Sequence, residues 1–147
     1  MSEQASGTFE IQNWQQRDYD EAEPKLTRAS VVEAYSGDIE ALANVEYLMT
    51  SLPDGSAQFV GQVRISGRIG NREGSFVVQD IGEYVGGDTA RGRLTIVAGS
   101  GTGDLSGLRG EGAYVATHGE KPIEFAGRTW NPTPERTGSY VLDYDFD

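Results

Sequence analysis

The stretch GSGTGDLSGLRGEGAYVA, Gly99 to Ala116, carries glycine at 99, 101, 103, 107, 110 and 112. Glycines this dense invite a phosphate-binding reading, and that reading has requirements. A dinucleotide fingerprint needs glycines at the end of a strand, followed by a helix whose N-terminus meets the pyrophosphate. Gly101, Gly103 and Gly107 space as G-x-G-x-x-x-G, one residue too long. The residues that follow, LSGLRGEGAYV, cannot start a helix, because each glycine in a helix interior costs about 1 kcal/mol against alanine. No Gly-Lys-Ser/Thr of a P-loop occurs in the chain. The stretch therefore reads as a strand, a tight turn, a short extended segment that tucks Leu105 and Leu108 into the core, and a further strand. Glycine supplies the positive φ angles and close backbone approaches such a corner needs.

Strand character spreads outward from this corner in both directions. GTFEIQNW (Gly7 to Trp14), KLTRASVVEAYS (Lys25 to Ser36), NVEYLMT (Asn44 to Thr50) and AQFVGQVRISGRI (Ala57 to Ile69) precede GSFVVQDIGEYV (Gly74 to Val85) and RGRLTIVA (Arg91 to Ala98). GAYVATH (Gly112 to His118), PIEFAGRTW (Pro122 to Trp130) and SYVLDYDF (Ser139 to Phe146) follow. Short links such as PDGS at 53–56, GNREG at 70–74 and GGDTA at 86–90 make consecutive strands antiparallel neighbours. The one place with room for a helical turn is Asp38 to Ala43. An open sheet this long would leave adhesive edges, and the connections are too short for a typical sandwich, so the strands are expected to close on themselves. The expected fold is all-β, a closed eight-stranded antiparallel β-barrel forming one domain over residues 1–147. Such a barrel is just wide enough to be filled by side chains or to hold one small ligand.

Composition removes several classes of function. With 23 acidic and 12 basic residues the net charge is −11, a surface that repels nucleic acid and anionic membrane. The chain has no cysteine, hence no disulfide, thiolate metal site or cysteine nucleophile. The N-terminal MSEQASGTFE lacks the pattern of a signal peptide, no apolar run is long enough to span a bilayer, and a cytoplasmic protein is expected. His118, the only histidine, stands beside Gly119 and cannot assemble a metal site or a Ser-His-acid triad alone. The acidic clusters at 17–24 and at the C-terminal end lack calcium-loop spacing, so neither metal nor cofactor is expected.

The order of motifs GTFEIQNW, PKLTRASV, SGDIE (36–40), VEYLM, GSFVVQD, GSGTGDLSGLRGEG and YVLDYDFD resembles the bacterial DUF3224 family across nearly the whole chain. The glycine-rich corner also resembles that of the allene-oxide-cyclase and dirigent-like barrels. The resemblance implies an allene-oxide-cyclase-like eight-stranded barrel and a homo-oligomer, a dimer or trimer. Allene oxide cyclases hold a hydrophobic epoxide in the barrel and steer its ring closure with a Glu-x-Asn pair on the first strand. Here Glu10-Ile11-Gln12 matches at Glu10 and is similar at Gln12, while Pro24 is similar to a downstream proline at a different spacing. The cavity cysteine of the cyclases has no counterpart.

Alternate strand residues share a face. On the first strand either Phe9, Ile11 and Asn13 or Glu10, Gln12 and Trp14 face inward, and this register choice decides whether Glu10 is a surface charge or a cavity acid. Glu46 in NVEYLM is solvated if Val45, Tyr47 and Met49 line the core; facing the lumen, it would be a desolvated general acid or base. Glu10 and Glu46 are thus the catalytic candidates. Gln12, Trp14, Tyr35, Tyr47, Gln79 and Trp130 are candidates for the ligand-binding wall, in a chain whose seven tyrosines offer hydroxyl handles to a mostly apolar pocket. The expected function is binding of an apolar or amphipathic small molecule in the lumen, extending to cofactor-free cyclisation or isomerisation. The alternative is a non-enzymatic oligomeric binding or interaction module with a filled barrel core.

Overall fold

A period-two alternation of buried and exposed residues runs along the long strands of the computed structural model, which describes residues 2–147. In β3 (Ile39–Ser51) and β4 (Ala57–Ile69) nearly every second side chain is buried, the pattern of a sheet with one face on a core. The remaining elements are β1 (Glu3–Asp20), β2 (Lys25–Gly37), β5 (Arg72–Val85), β6 (Thr89–Ile96), β7 (Leu108–Thr117), β8 (Ile123–Phe125), β9 (Arg128–Trp130) and β10 (Thr137–Phe146). Eight strands close a barrel in the order β1-β10-β7-β6-β5-β4-β3-β2. Each adjacent pair is antiparallel, and the β1–β10 ladder from Glu3↔Tyr144 to Glu10↔Thr137 seals the ring. Closure leaves no adhesive edge around the ring, as the short connections require. Among the described residues no helix is long and apolar enough to cross a membrane.

Two ends of the barrel differ. At one end Ile39, Ile69, Phe76, Leu105 and Leu108 are buried together. The glycine-rich corner makes this closure. β6 stops at Ile96, and the chain then borrows the edge of β5: Val97 N–H donates to Val77 O and Thr102 N–H to Ser75 O, while Val77 and Ser75 N–H donate to the Ser100 and Thr102 hydroxyls. A single 3-10 turn, Gly103–Leu105, then carries Leu105 across the barrel end. Gly103 and Gly107 have φ of 58° and 85°, values that L side chains rarely adopt. Leu105 and Leu108 are buried as expected, but the segment between the strands is this 3-10 turn and not an extended one.

Three local expectations are corrected. Asp38 to Ala43 is not helical: β3 starts at Ile39, because the Gly7↔Gly37 and Ala41↔Gly67 pairings draw the segment into the ladder. Gln15 to Pro24, which lies between the first two expected strands, is largely strand, since β1 pairs with β10 only as far as Glu10 but with β2 as far as Asp20. Pro122 to Trp130 is not one strand but the separate hairpin β8–β9, bent at Ala126 and Gly127, which both have positive φ. That hairpin lies on the outside of the barrel, where Trp130 is buried with Ala113 and Val115.

Candidate functional site in the barrel lumen

The face of each strand that points inward is decided at the first strand. Phe9 is buried and Ile11 half-buried, while Glu10 and Gln12 are exposed and bonded to each other, Gln12 Nε2 donating to Glu10 Oε1 at 3.1 Å. A bulge between Ile11 and Asn13 then inserts one residue against β2 and reverses the parity. Trp14 therefore returns to the lumen side at the barrel mouth, 38% exposed, with its ring 6.1 Å from that of Tyr47. The inward set is neither of the two that strict alternation allowed; it is Phe9, Ile11 and Trp14.

Both catalytic candidates stand on the outer face. Glu10 is exposed, and Glu46 accepts hydrogen bonds from the Ser30 hydroxyl and from Arg28 Nη2, each at 2.9 Å. These donors hold the Glu46 carboxyl below the usual carboxylate range, the opposite of the lumen acid considered above. The reason is the parity of β3, where Val45 and Tyr47 are buried and Glu46 between them is not. Gln79 is likewise exposed, because Val78 and Asp80 take the inner face of β5. Trp130 lies outside the barrel, its indole N–H donating to Phe125 O at 2.9 Å within the hairpin. Of the wall candidates, Tyr35 and Tyr47 are buried in the core, Trp14 is at the mouth, and Gln12 is outside.

The lumen contains two carboxyl groups that were not among the candidates. Glu33 of β2 is 6% exposed and Asp80 of β5 is 2% exposed. Asp80 accepts hydrogen bonds on both oxygens, from the Tyr47 hydroxyl at 3.0 Å and the Tyr114 hydroxyl at 3.1 Å. Burial pushes Asp80 up to about 7 in spite of these two donors. Glu33 is pushed up to about 8, first by burial and then by the negative charge of Asp80. Among the described residues none donates a hydrogen bond to the Glu33 carboxyl. A signal for both acids exists in the sequence: Phe76, Val78 and Asp80 share one parity of β5, and Ala29, Val31, Glu33 and Tyr35 share one parity of β2. Each carboxyl sits in phase with an apolar face.

Between these groups and the mouth lies a cavity of about 370 Å³, lined by Phe9, Ile11, Trp14, Gln16, Glu33, Tyr47, Met49, Ala57, Phe59, Tyr84, Ala90, Tyr114 and Ala116. Beneath it, a void of about 10 Å³ among Glu33, Tyr35, Asp80 and Tyr114 has room for a single water. Inward glycines give the aromatic rings their places. A Cβ on Gly61 would stand 2.7 Å from the Tyr47 ring, one on Gly82 2.6 Å from the Phe59 ring, and one on Gly92 2.6 Å from both the Tyr114 ring and Asp80 Oδ1. The rings occupy space over the neighbouring strands that a side chain at those positions would take. A larger hollow of about 460 Å³ runs along Leu48, Val60 and Ile81, but on the solvent side of the sheet. No group of metal-ligating side chains occurs among the described residues.

The model of the family described as "Protein of unknown function (DUF3224)" matches residues 5–126. The chain belongs to the DUF3224 family. That match takes in β1 through β8, and so every residue of the lumen cavity. A crystal structure of a DUF3224 protein of unknown function from Shewanella oneidensis MR-1 is similar over 100% of this chain and 98% of that one, with a TM-score of 0.69 and 23% identity. At that identity the likeness speaks for a shared DUF3224 barrel and for nothing finer. No curated protein matches the chain.

Proposed function

We propose that this protein binds a small, largely apolar or amphipathic molecule in the barrel lumen. The observation that carries the reading is the cavity of about 370 Å³, walled by aromatic and aliphatic side chains, with the otherwise unbonded Glu33 carboxyl reaching into it. A mostly apolar pocket with a few placed polar groups is the usual form of a small-molecule site. A domain selected only for stability would fill this space with side chains, since apolar burial stabilises and an empty volume does not.

In the finer reading the protein is a cofactor-free cyclase or isomerase. The aromatic wall holds a flexible substrate in a reactive fold, and Glu33 moves a proton. A carboxyl whose pKa lies near neutrality is suited to give and take one. Glu33 thus takes the role first considered for Glu10 and Glu46.

The test is thermal shift against a panel of polyketide-, terpenoid- and fatty-acid-like compounds. Binding in the native state alone raises Tm by mass action. Ala90→Leu, which fills the cavity mouth, is expected to abolish the shift without lowering the Tm of the free protein by a comparable amount. No shift with any compound, or a shift that Ala90→Leu leaves intact, would remove the reading. Hits are then incubated with the protein and followed by mass spectrometry and chromatography for an isomeric product.

A second reading, an oligomeric interaction module, is favoured by a separate observation. Leu48, Val60 and Ile81 face solvent and stand in register across β3, β4 and β5, Ile81 being 67% exposed. A second copy of the chain packed on this row would bury it. Light scattering would then give a dimer or trimer that Ile81→Lys converts to monomer.

A further inference from the structure

We propose that the lumen site is built for an organic cation, an ammonium group on a compact apolar body, with its charge seated against Glu33 and its body against the aromatic wall. The inference rests on the lumen-binding reading above but not on proton transfer.

Charge inventory is the first argument. Two carboxyl groups, Glu33 and Asp80, face the lumen, and no lysine, arginine or histidine is among the residues lining the cavity. Buried charges in proteins are ordinarily paired. Among the described residues Glu33 has no such partner. Each tyrosine has one O–H to give; Tyr47 and Tyr114 both give theirs to Asp80, and the hydroxyl of Tyr35, which also borders the void, makes no hydrogen bond to Glu33. Glu33 is left with its acceptor capacity directed at the cavity. An anionic ligand would meet two acidic groups there and no cation to receive it. A neutral apolar ligand would leave the carboxyl unbonded in a drier site, which costs free energy. A cation satisfies Glu33 and offsets its repulsion with Asp80.

The wall is the second argument. Phe9, Trp14, Tyr47, Phe59, Tyr84 and Tyr114 all border the cavity. Aromatic faces attract organic cations through the ring quadrupole, and a cage of such rings beside a carboxylate is the chemistry that recognises quaternary and tertiary ammonium groups. The tyrosines that give their hydroxyls downward to Asp80 keep their rings for the cavity above.

The surroundings are the third. The end of the β1–β2 hairpin near the mouth carries Asp18, Asp20, Glu21 and Glu23 against Arg17 and Lys25, and the chain as a whole carries a charge of −11. Such a field concentrates cations at the opening.

The groups facing Glu33 are Asp80 from β5, Tyr35 from its own strand, Tyr47 from β3 and Tyr114 from β7; β1 contributes Phe9 and Ile11, and among the described residues no cationic side chain lines the space around it. A bound cation therefore favours the ionised Glu33. Because the free protein holds that carboxyl protonated up to about pH 8, binding releases a proton below this value and tightens as pH rises from 6 to 8.5.

The experiment compares benzyltrimethylammonium with neopentylbenzene, its isostere in which carbon replaces the charged nitrogen, by thermal shift and Trp fluorescence at pH 6 and pH 8.5. The quaternary nitrogen does not titrate, so any pH dependence belongs to the protein. Expected are binding of the cation at least ~10-fold tighter than the isostere at pH 8.5, weaker binding at pH 6, and loss of the preference in Glu33→Gln. Because the acidic outer surface is the same in that variant, a preference arising there would survive the substitution. Equal affinity for cation and isostere, or a preference that Glu33→Gln leaves intact, would overturn the cation inference while lumen binding stands. No binding of either probe or of any compound in the panel would overturn both. Should Glu33→Gln fold poorly, the comparison between pH 6 and pH 8.5 on the wild-type protein decides alone, and affinity that does not rise with pH would refute the inference.

Discussion

The two ends of the barrel are made of the same strands and treated in opposite ways. At the closed end the glycine-rich corner brings Leu105 over the opening, and Phe76, Ile39 and Ile69 fill the space beneath it. At the open end the strands carry Glu33 and Asp80 inward, leave about 370 Å³ of volume, and hold Trp14 over the mouth by means of a bulge. One end is organised for stability. The other holds desolvated carboxyls and unfilled space, both of which cost stability. The difference supports the proposed lumen site at the open end more than any single residue does.

Four substitutions would break or sharpen this contrast. Leu105→Ala removes the cap of the closed end and is expected to cost about 2–5 kcal/mol in urea unfolding while leaving ligand affinity unchanged. If affinity fell in step with stability, the two ends would not be separable. Gly92→Ala puts a methyl group against the Tyr114 ring and Asp80. Its expected cost is about 1–3 kcal/mol, accompanied by weakened binding, because the displaced ring belongs to the cavity wall.

Glu33→Gln works in the other direction. Between the ordinary value of 4.5 and the value of about 8 in the folded protein, the native state keeps a proton that the unfolded chain has lost. Stability therefore falls as pH rises through that window. The glutamine variant escapes this loss: it should match the wild-type protein near pH 4 and exceed it at pH 8.5, with Tm higher by on the order of 5 °C. Equal Tm values at pH 8.5 would mean that the carboxyl is not held out of water. The smallest effect belongs to Glu46→Gln on the outer face, where the bond to Arg28 is exposed: less than about 0.5 kcal/mol and no change in binding.

Much of the architecture is legible in the residues. The glycine corner, the turns at Asp54-Gly55 and Gly86-Gly87, and the alternation in AQFVGQVRISGRI are local signals, and local signals need no knowledge of partners. The hairpin that holds Trp130 was harder to read, since the bend at Ala126-Gly127 falls inside an otherwise continuous run of strand character. The candidate site was legible only in part. Tyr35 and Tyr47 lie in apolar phase, and both face inward. Glu33 and Asp80 lie in the same phase and were passed over, because glutamate and aspartate on a strand are most often solvated and a lone sequence offers no sign of the tyrosines that surround them. Glu10 stands out in the sequence by similarity, and Glu46 through an open choice of register.

The sequence alone determined that this chain is all-β, that its strands pair with their neighbours, and that its glycine-rich stretch turns a corner and does not open a helix of phosphate-binding type. The all-β class, the neighbour pairing and the glycine corner follow from backbone sterics and from periodicity, which act within a few residues. The tertiary structure decided which face of each strand looks inward. It placed one extra residue at the Ile11–Asn13 bulge, turned Trp14 over the mouth, and joined carboxyls from β2 and β5 with tyrosines from β3 and β7. A barrel lumen is assembled from strands distant in sequence, and its contents depend on closure and register, quantities that no single strand contains.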